Sequence, residues 1–203
     1  MIRTFALLTF AAAPVLAAEG AMTPAERALL LEQLEKSKKE VLASLEGVGA
    51  AQWKYKPAPN VWSVQECAEH IILAEGFLLG NTQQLLKNEA VARPERSNAD
   101  VDRQLVAGVQ DRSHKFTAPE PLVPSAKFAT PADAAHAFTV ARDKTIAYVK
   151  TTNDALRVHV GQSPAGPLDA YQFLILLSAH SERHNAQIQE VKSNPEYPKM
   201  SAE

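Results

Sequence analysis

Ala179-His180-Ser181-Glu182-Arg183-His184-Asn185-Ala186-Gln187-Ile188 is the stretch on which the reading of this chain turns. It lies inside a long apolar period in which Phe173, Leu177, His180, Ser181, His184, Ile188 and Val191 recur at helical spacing. At 3.6 residues per turn, His180 and His184 stand about 40° apart around the axis and about one turn apart along it. Both imidazoles can therefore face one metal ion. They occupy the buried stripe of their helix, where two neutral rings are costly unless something organises them. This helix is expected from about Leu168 to Lys192, stopping before Pro195.

Three more long helices are expected upstream. Thr23-Pro24-Ala25-Glu26 is a capping box with proline in the first turn, and its helix runs to about Leu45, where Gly47 and Gly49 end it. The stretch Trp53 to Asn60 contains Pro57 and Pro59 and cannot be helical throughout. Ser63-Val64-Gln65-Glu66 is a second capping box. Its helix reaches about Leu86 and turns Cys67, His70, Ile71, Ala74, Phe77 and Leu78 inward. His70 is thus a third imidazole on a buried stripe. Thr130-Pro131-Ala132-Asp133 opens a helix to about Thr151, with Ala134, Phe138, Ala141, Thr145 and Val149 on one side.

Residues 88 to 130 sustain no period and are rich in proline, apart from a short helix expected over Asp100 to Gln110. Gly161 to Pro167 reads as a turn, with no strand pair expected. The expected fold is all-α, a helical bundle with one long connection between its second and third helices. Bundles build their sites inward from facing helices. If His70, His180 and His184 converge, they leave coordination positions open, as a working metal site does.

The 203 residues suffice for one domain with a real core. A formal charge of −2 without a block of like charge points away from nucleic acid. The single cysteine, Cys67, excludes an internal disulfide and reads as a buried, inert thiol. Met1-Ile2-Arg3, the apolar run Phe5 to Val15 and the small residues around Ala17 and Ala18 read as a signal peptide over residues 1–18. The mature chain is then expected to be exported to a periplasm, without a membrane span, as a domain over 23–193 and a tail over 194–203.

Other polar residues read more plainly. His114, His136 and His159 have no partner at ligand spacing and are expected to be surface or structural. Glu182 and Arg183 point away from the histidine pair and are expected in solvated salt bridges. Gln187, three residues beyond His184, is placed to hydrogen-bond a ligand or a bound water. Trp62 is expected to staple the second helix, and it could also wall a pocket. Glu66 and Glu69 lie near His70 in sequence, but no catalytic role is assigned to either.

Two dispersed segments resemble the DinB-like family of damage-inducible, YfiT-like proteins. One is Asn60-Val61-Trp62-Ser63-Val64-Gln65-Glu66-Cys67-Ala68-Glu69-His70; the other is His180 to Ile188. Between them, Gly166-Pro167-Leu168-Asp169 is similar to the family's entry to its last helix. The resemblance covers about residues 23–193. It implies a four-helix bundle of up-down-down-up type, often a homodimer. It also implies a metal held by His70, His180 and His184, usually nickel or zinc and sometimes iron. Relatives include thiol-dependent transferases and a thiol-dependent isomerase. A signal peptide departs from those relatives, since cytosolic thiols are scarce outside the cytosol. The leading expectation is an exported three-histidine metal protein that acts as hydrolase or transferase on a small molecule. The alternative is a stress-response module that holds metal or ligand without turnover.

Overall fold

Caps written in the sequence start the long helices. In a computed structural model that describes residues 19–199, α1 runs over Pro24–Leu45 from the Thr23–Glu26 capping box. Gly47 follows it at φ 69, a left-handed conformation that suits glycine. A short helix, α2 (Ala50–Lys54), was not expected; it buries Trp53 completely. Next come α3 (Val64–Leu85) from the Ser63–Glu66 box and α4 (Ala99–Gln110), capped by Asn98. A single 3-10 turn over Glu120–Leu122 precedes α5 (Pro131–Thr151), which Thr130 caps.

The expected turn at residues 161–167 is an antiparallel hairpin, β1 (Val160–Ser163) with β2 (Gly166–Asp169). Gly166, at φ 94, takes the backbone out of the turn. The hairpin holds the residues where the last helix was expected to begin, so α6 runs over Ala170–Lys192 from an Asp169–Gln172 capping box. The strand pair escaped the sequence reading because its strands are only four residues long and show no alternation. Residues 1–18, expected to be a signal peptide, and residues 200–203 lie outside the described residues. The start of the tail is tied down: Tyr55 donates to Asn194 at 2.8 Å and Gln52 to the Pro198 carbonyl at 2.8 Å. Among the described residues, no helix is long and apolar enough to cross a membrane.

The chain is mostly helical, and each long helix has two principal long-helix neighbours. α1 packs on α5 and α6, and α3 packs on the same two. The apolar core divides into two clusters. One includes Leu30, Leu34, Leu78, Ile146, Val149 and Leu174. The other includes Val41, Cys67, Ile71, Phe138, Ile188 and Val191. Phe77, expected inside, is 39% exposed. It lies beside the buried stripe of α3, which continues through Ala74, Leu78 and Thr82.

Between the clusters lie Ser37 along α1, Arg142 along α5 and Ser181 along α6, while Glu75 of α3 follows Ala74 of the first cluster. Arg142 of α5 is 0% exposed and pairs with Glu75 of α3. It also donates to Ser37 of α1 at 2.6 Å, to the Leu34 carbonyl at 2.8 Å and to Ser181 of α6 at 2.8 Å. One guanidinium thus ties all four long helices together. A second buried cation, Arg157, joins the start of α1 (Glu26), α4 (Asp102) and the cap of α6 (Asp169) at 2.7, 2.6 and 3.1 Å. Its guanidinium stacks on Tyr171 at 3.8 Å.

Removing one partner of a buried, hydrogen-bonded pair leaves the other charge stranded. Arg142→Met should therefore cost about 3–5 kcal/mol in denaturant unfolding, and the double variant with Glu75→Leu should recover most of it. A single variant as stable as the parent would contradict the role given to this pair.

Candidate metal centre

Three imidazoles meet in the interior. His70 comes from the second turn of α3, and His180 and His184 from successive turns of α6. One ring nitrogen of each lies within 4.8 Å of the others. Ring centroids are 4.4 to 4.8 Å apart. His70 and His184 are buried, and His180 is partly so. The expected convergence of facing helices is therefore present.

The hydrogen bonds around the rings sort their nitrogens. His70 Nδ1 lies 2.7 Å from the Leu122 carbonyl. A carbonyl only accepts, so this nitrogen carries the proton and Nε2 keeps its lone pair. His184 Nδ1 lies 2.9 Å from Gln187 Oε1, which sorts that ring the same way. Gln187, expected to hydrogen-bond a ligand or a metal-bound water, bonds His184. His180 Nε2 lies 3.1 Å from His70 Nε2, while its Nδ1 is buried without a partner.

This donor set fits a transition metal. Two nitrogens held at about 2.0–2.1 Å from one ion stand about 2.8 Å (cis octahedral) to about 3.4 Å (tetrahedral) apart. The 3.1 Å approach of His70 and His180 falls in that range. Metal-bound histidines commonly give their other ring N–H to a carbonyl or a side-chain oxygen, as His70 and His184 do here.

Burial also keeps the rings neutral, as ligands must be. It is the largest cause of the fall at each ring. His180 is pushed down to about 3, with repulsion from His70 and Arg183 adding to burial. His184 falls well below its usual range, and His70 is lowered despite the Leu122 carbonyl.

The surroundings include an aromatic ring. The Trp62 ring sits 4.7 Å from that of His70 and 5.9 Å from that of His184. It packs on the apolar cluster that includes Cys67 as well, in keeping with a staple on α3. Cys67 is fully buried, and burial pushes its thiol pKa up, consistent with an inert thiol. His114 and His136 are exposed and stand apart from the trio. His159 is partly buried, with Nδ1 unpartnered.

One expectation is corrected. Arg183 is not in a solvated salt bridge; it is 7% exposed and donates to the Val109, Asp111 and His114 carbonyls. It caps the end of α4, a role that depends on where α4 lies and leaves no trace in sequence spacing. Glu182 pairs with Lys36 at 2.9 Å, in keeping with its expected role.

A model of the DinB superfamily matches residues 33–188, a span that includes all three histidines. The chain belongs to the DinB superfamily. Another protein similar to this DinB chain is the "Uncharacterized protein YuaE" of Bacillus subtilis (strain 168). The two are 23% identical over 158 residues, which span 77% of this chain and 93% of that protein. No solved structure matches.

The depressed imidazoles set the sign of a pH effect. Unfolded histidines titrate near 6.5. Below that value the unfolded chain takes up protons that the folded chain refuses, so stability falls with pH. The metal-free protein should lose stability from about pH 6.5 down toward about 3, more steeply than a His180→Leu variant. Parallel denaturant-midpoint profiles for the two proteins across that window would rule out a buried neutral His180.

Proposed function

We propose that the protein holds one divalent transition-metal ion through His70, His180 and His184 and uses it in hydrolysis or group transfer on a small molecule. The observation that carries this reading is the meeting of three neutral imidazoles, two of which have their Nδ1 atoms engaged by oxygens so that Nε2 keeps its lone pair. Nickel, zinc and iron all accept imidazole. Such an ion, when bound, supplies Lewis-acid polarisation of a substrate oxygen or thiol. The chain's own part is to hold the rings neutral and oriented, and to wall the site with the Trp62 indole.

The proposed frame is the up-down-down-up four-helix bundle. Its support lies in the order of the cross-helix pairs. Along α1, Arg27 and Lys38 meet Val149 and Asp143 of α5, in reverse order. Glu26, Lys36 and Ser44 meet Tyr171, Glu182 and Gln189 of α6, in forward order. Export to a periplasm and assembly as a homodimer complete the proposal. The apolar run Phe5 to Val15 behind Arg3 supports the first, and family resemblance the second.

A second reading, a module that binds metal or ligand without turnover, is favoured by how the carboxylates nearest His70 are used. Glu66 is taken by the Ser63 N–H and Lys56, Glu69 by Ser125 and Lys127, and Glu75 by Arg142. None is left free as a general base. Elemental analysis of the mature protein, purified without a His tag, separates the proposals from a metal-free bundle. About one equivalent of metal is expected, lost in His180→Ala and in His184→Ala. Full occupancy in either variant would remove the three-histidine assignment. Metal-dependent turnover in a hydrolase and transferase screen then distinguishes enzyme from binding module.

A further inference from the structure

We infer that Glu69 is a positioning residue for the histidine trio, holding the strand of chain whose Leu122 carbonyl fixes His70; the inference rests on the metal-site reading above. Glu69 is 1% exposed and sits beside His70 on α3. Its carboxylate does not face the trio's partners. Oε1 accepts the Ser125 N–H at 3.0 Å and the Ser125 hydroxyl at 2.8 Å, and Oε2 accepts the Lys127 N–H at 2.9 Å.

The backbone between those two N–H groups explains why a carboxylate is needed. Ala126 has φ 61, the only left-handed non-glycine among the described residues. For an alanine this costs about 1–2 kcal/mol. Backbone N–H groups converging around a left-handed residue form a concave nest for an anion. The Glu69 carboxylate fills that nest from within the protein, and the charge-assisted bonds offset the strain.

The consequence reaches His70 through a short tether. Leu122 closes the 3-10 turn and lies three residues before Ser125. Neighbouring residues of α3 therefore grip one segment at two points: His70 at the Leu122 carbonyl, Glu69 at Ser125 and Lys127. With the second grip in place, the carbonyl stays aimed at Nδ1, and Nε2 is the nitrogen left to bind. Without it, the carbonyl loses its anchor and His70 is free to adopt the other tautomer, with its proton on Nε2.

The test compares the wild-type mature chain, Glu69→Gln and Ser125→Ala. Ser125 is exposed, so its variant leaves α3 intact and answers the question if Glu69→Gln does not fold. Two readouts are taken: Zn2+ affinity by chelator competition, and the His70 Nδ1–H proton resonance in the metal-free protein. Glu69→Gln should weaken Zn2+ binding about 10–100-fold and abolish the slowly exchanging His70 resonance. Ser125→Ala should shift both in the same direction, by less. A persistent resonance with unchanged affinity in the folded variants overturns the inference, even if thermal stability drops. If wild type binds no Zn2+ while Glu69→Gln still loses the resonance, the metal reading fails and the positioning role stands.

Discussion

Arg142 has no access to water, so its charge has to be met by the other three long helices. That requirement sets helix register more sharply than apolar packing does. Leucine and valine tolerate a slide with repacking, whereas a guanidinium needs acceptors at fixed places. Glu75 lies five residues beyond His70, and Ser181 lies next to His180. Arg142 thus fixes the register of α3 against α6, the two helices that carry the histidines.

The centre itself is assembled from opposing costs. Three rings out of water resist protonation, which makes them ready ligands but leaves polar nitrogens to be satisfied. The protein satisfies two Nδ1 atoms with oxygens and leaves one buried nitrogen of His180 without a partner. With the His70 proton on Nδ1, the His180 Nε2–H is left to donate to His70 Nε2 at 3.1 Å. Packing alone does not call for this arrangement, since apolar side chains of similar volume would fill the same space without orphaned groups.

The long connection between α3 and α5 is more than a linker. Its middle is held by Arg183 and its end by Glu69 and Gln65, each from a helix that also bears or neighbours a histidine. Trp53 and Gln65 donate to the same Phe128 carbonyl, which seats the exit into α5. Buried side chains thus bond a segment without its own regular hydrogen-bonding pattern wherever its backbone would otherwise go unmet.

Local signals in the sequence were enough for the long helices and for the candidate histidines. Thr23, Ser63 and Thr130 announce helix starts through bonds to residues three positions on. The spacing of His180 and His184, and the place of His70 on an apolar stripe, follow from 3.6 residues per turn. Tertiary structure alone decided the buried charges. Arg142, Arg157 and Glu69 look like surface residues in sequence, because their partners lie about 12 to 131 positions away. The same holds for Arg183 at the end of α4 and for Leu122, whose carbonyl is as good as any other until the fold sets it against His70. Helix periodicity is a property of neighbours along the chain, while the pairing of a charge or a carbonyl depends on which distant segment the packing delivers.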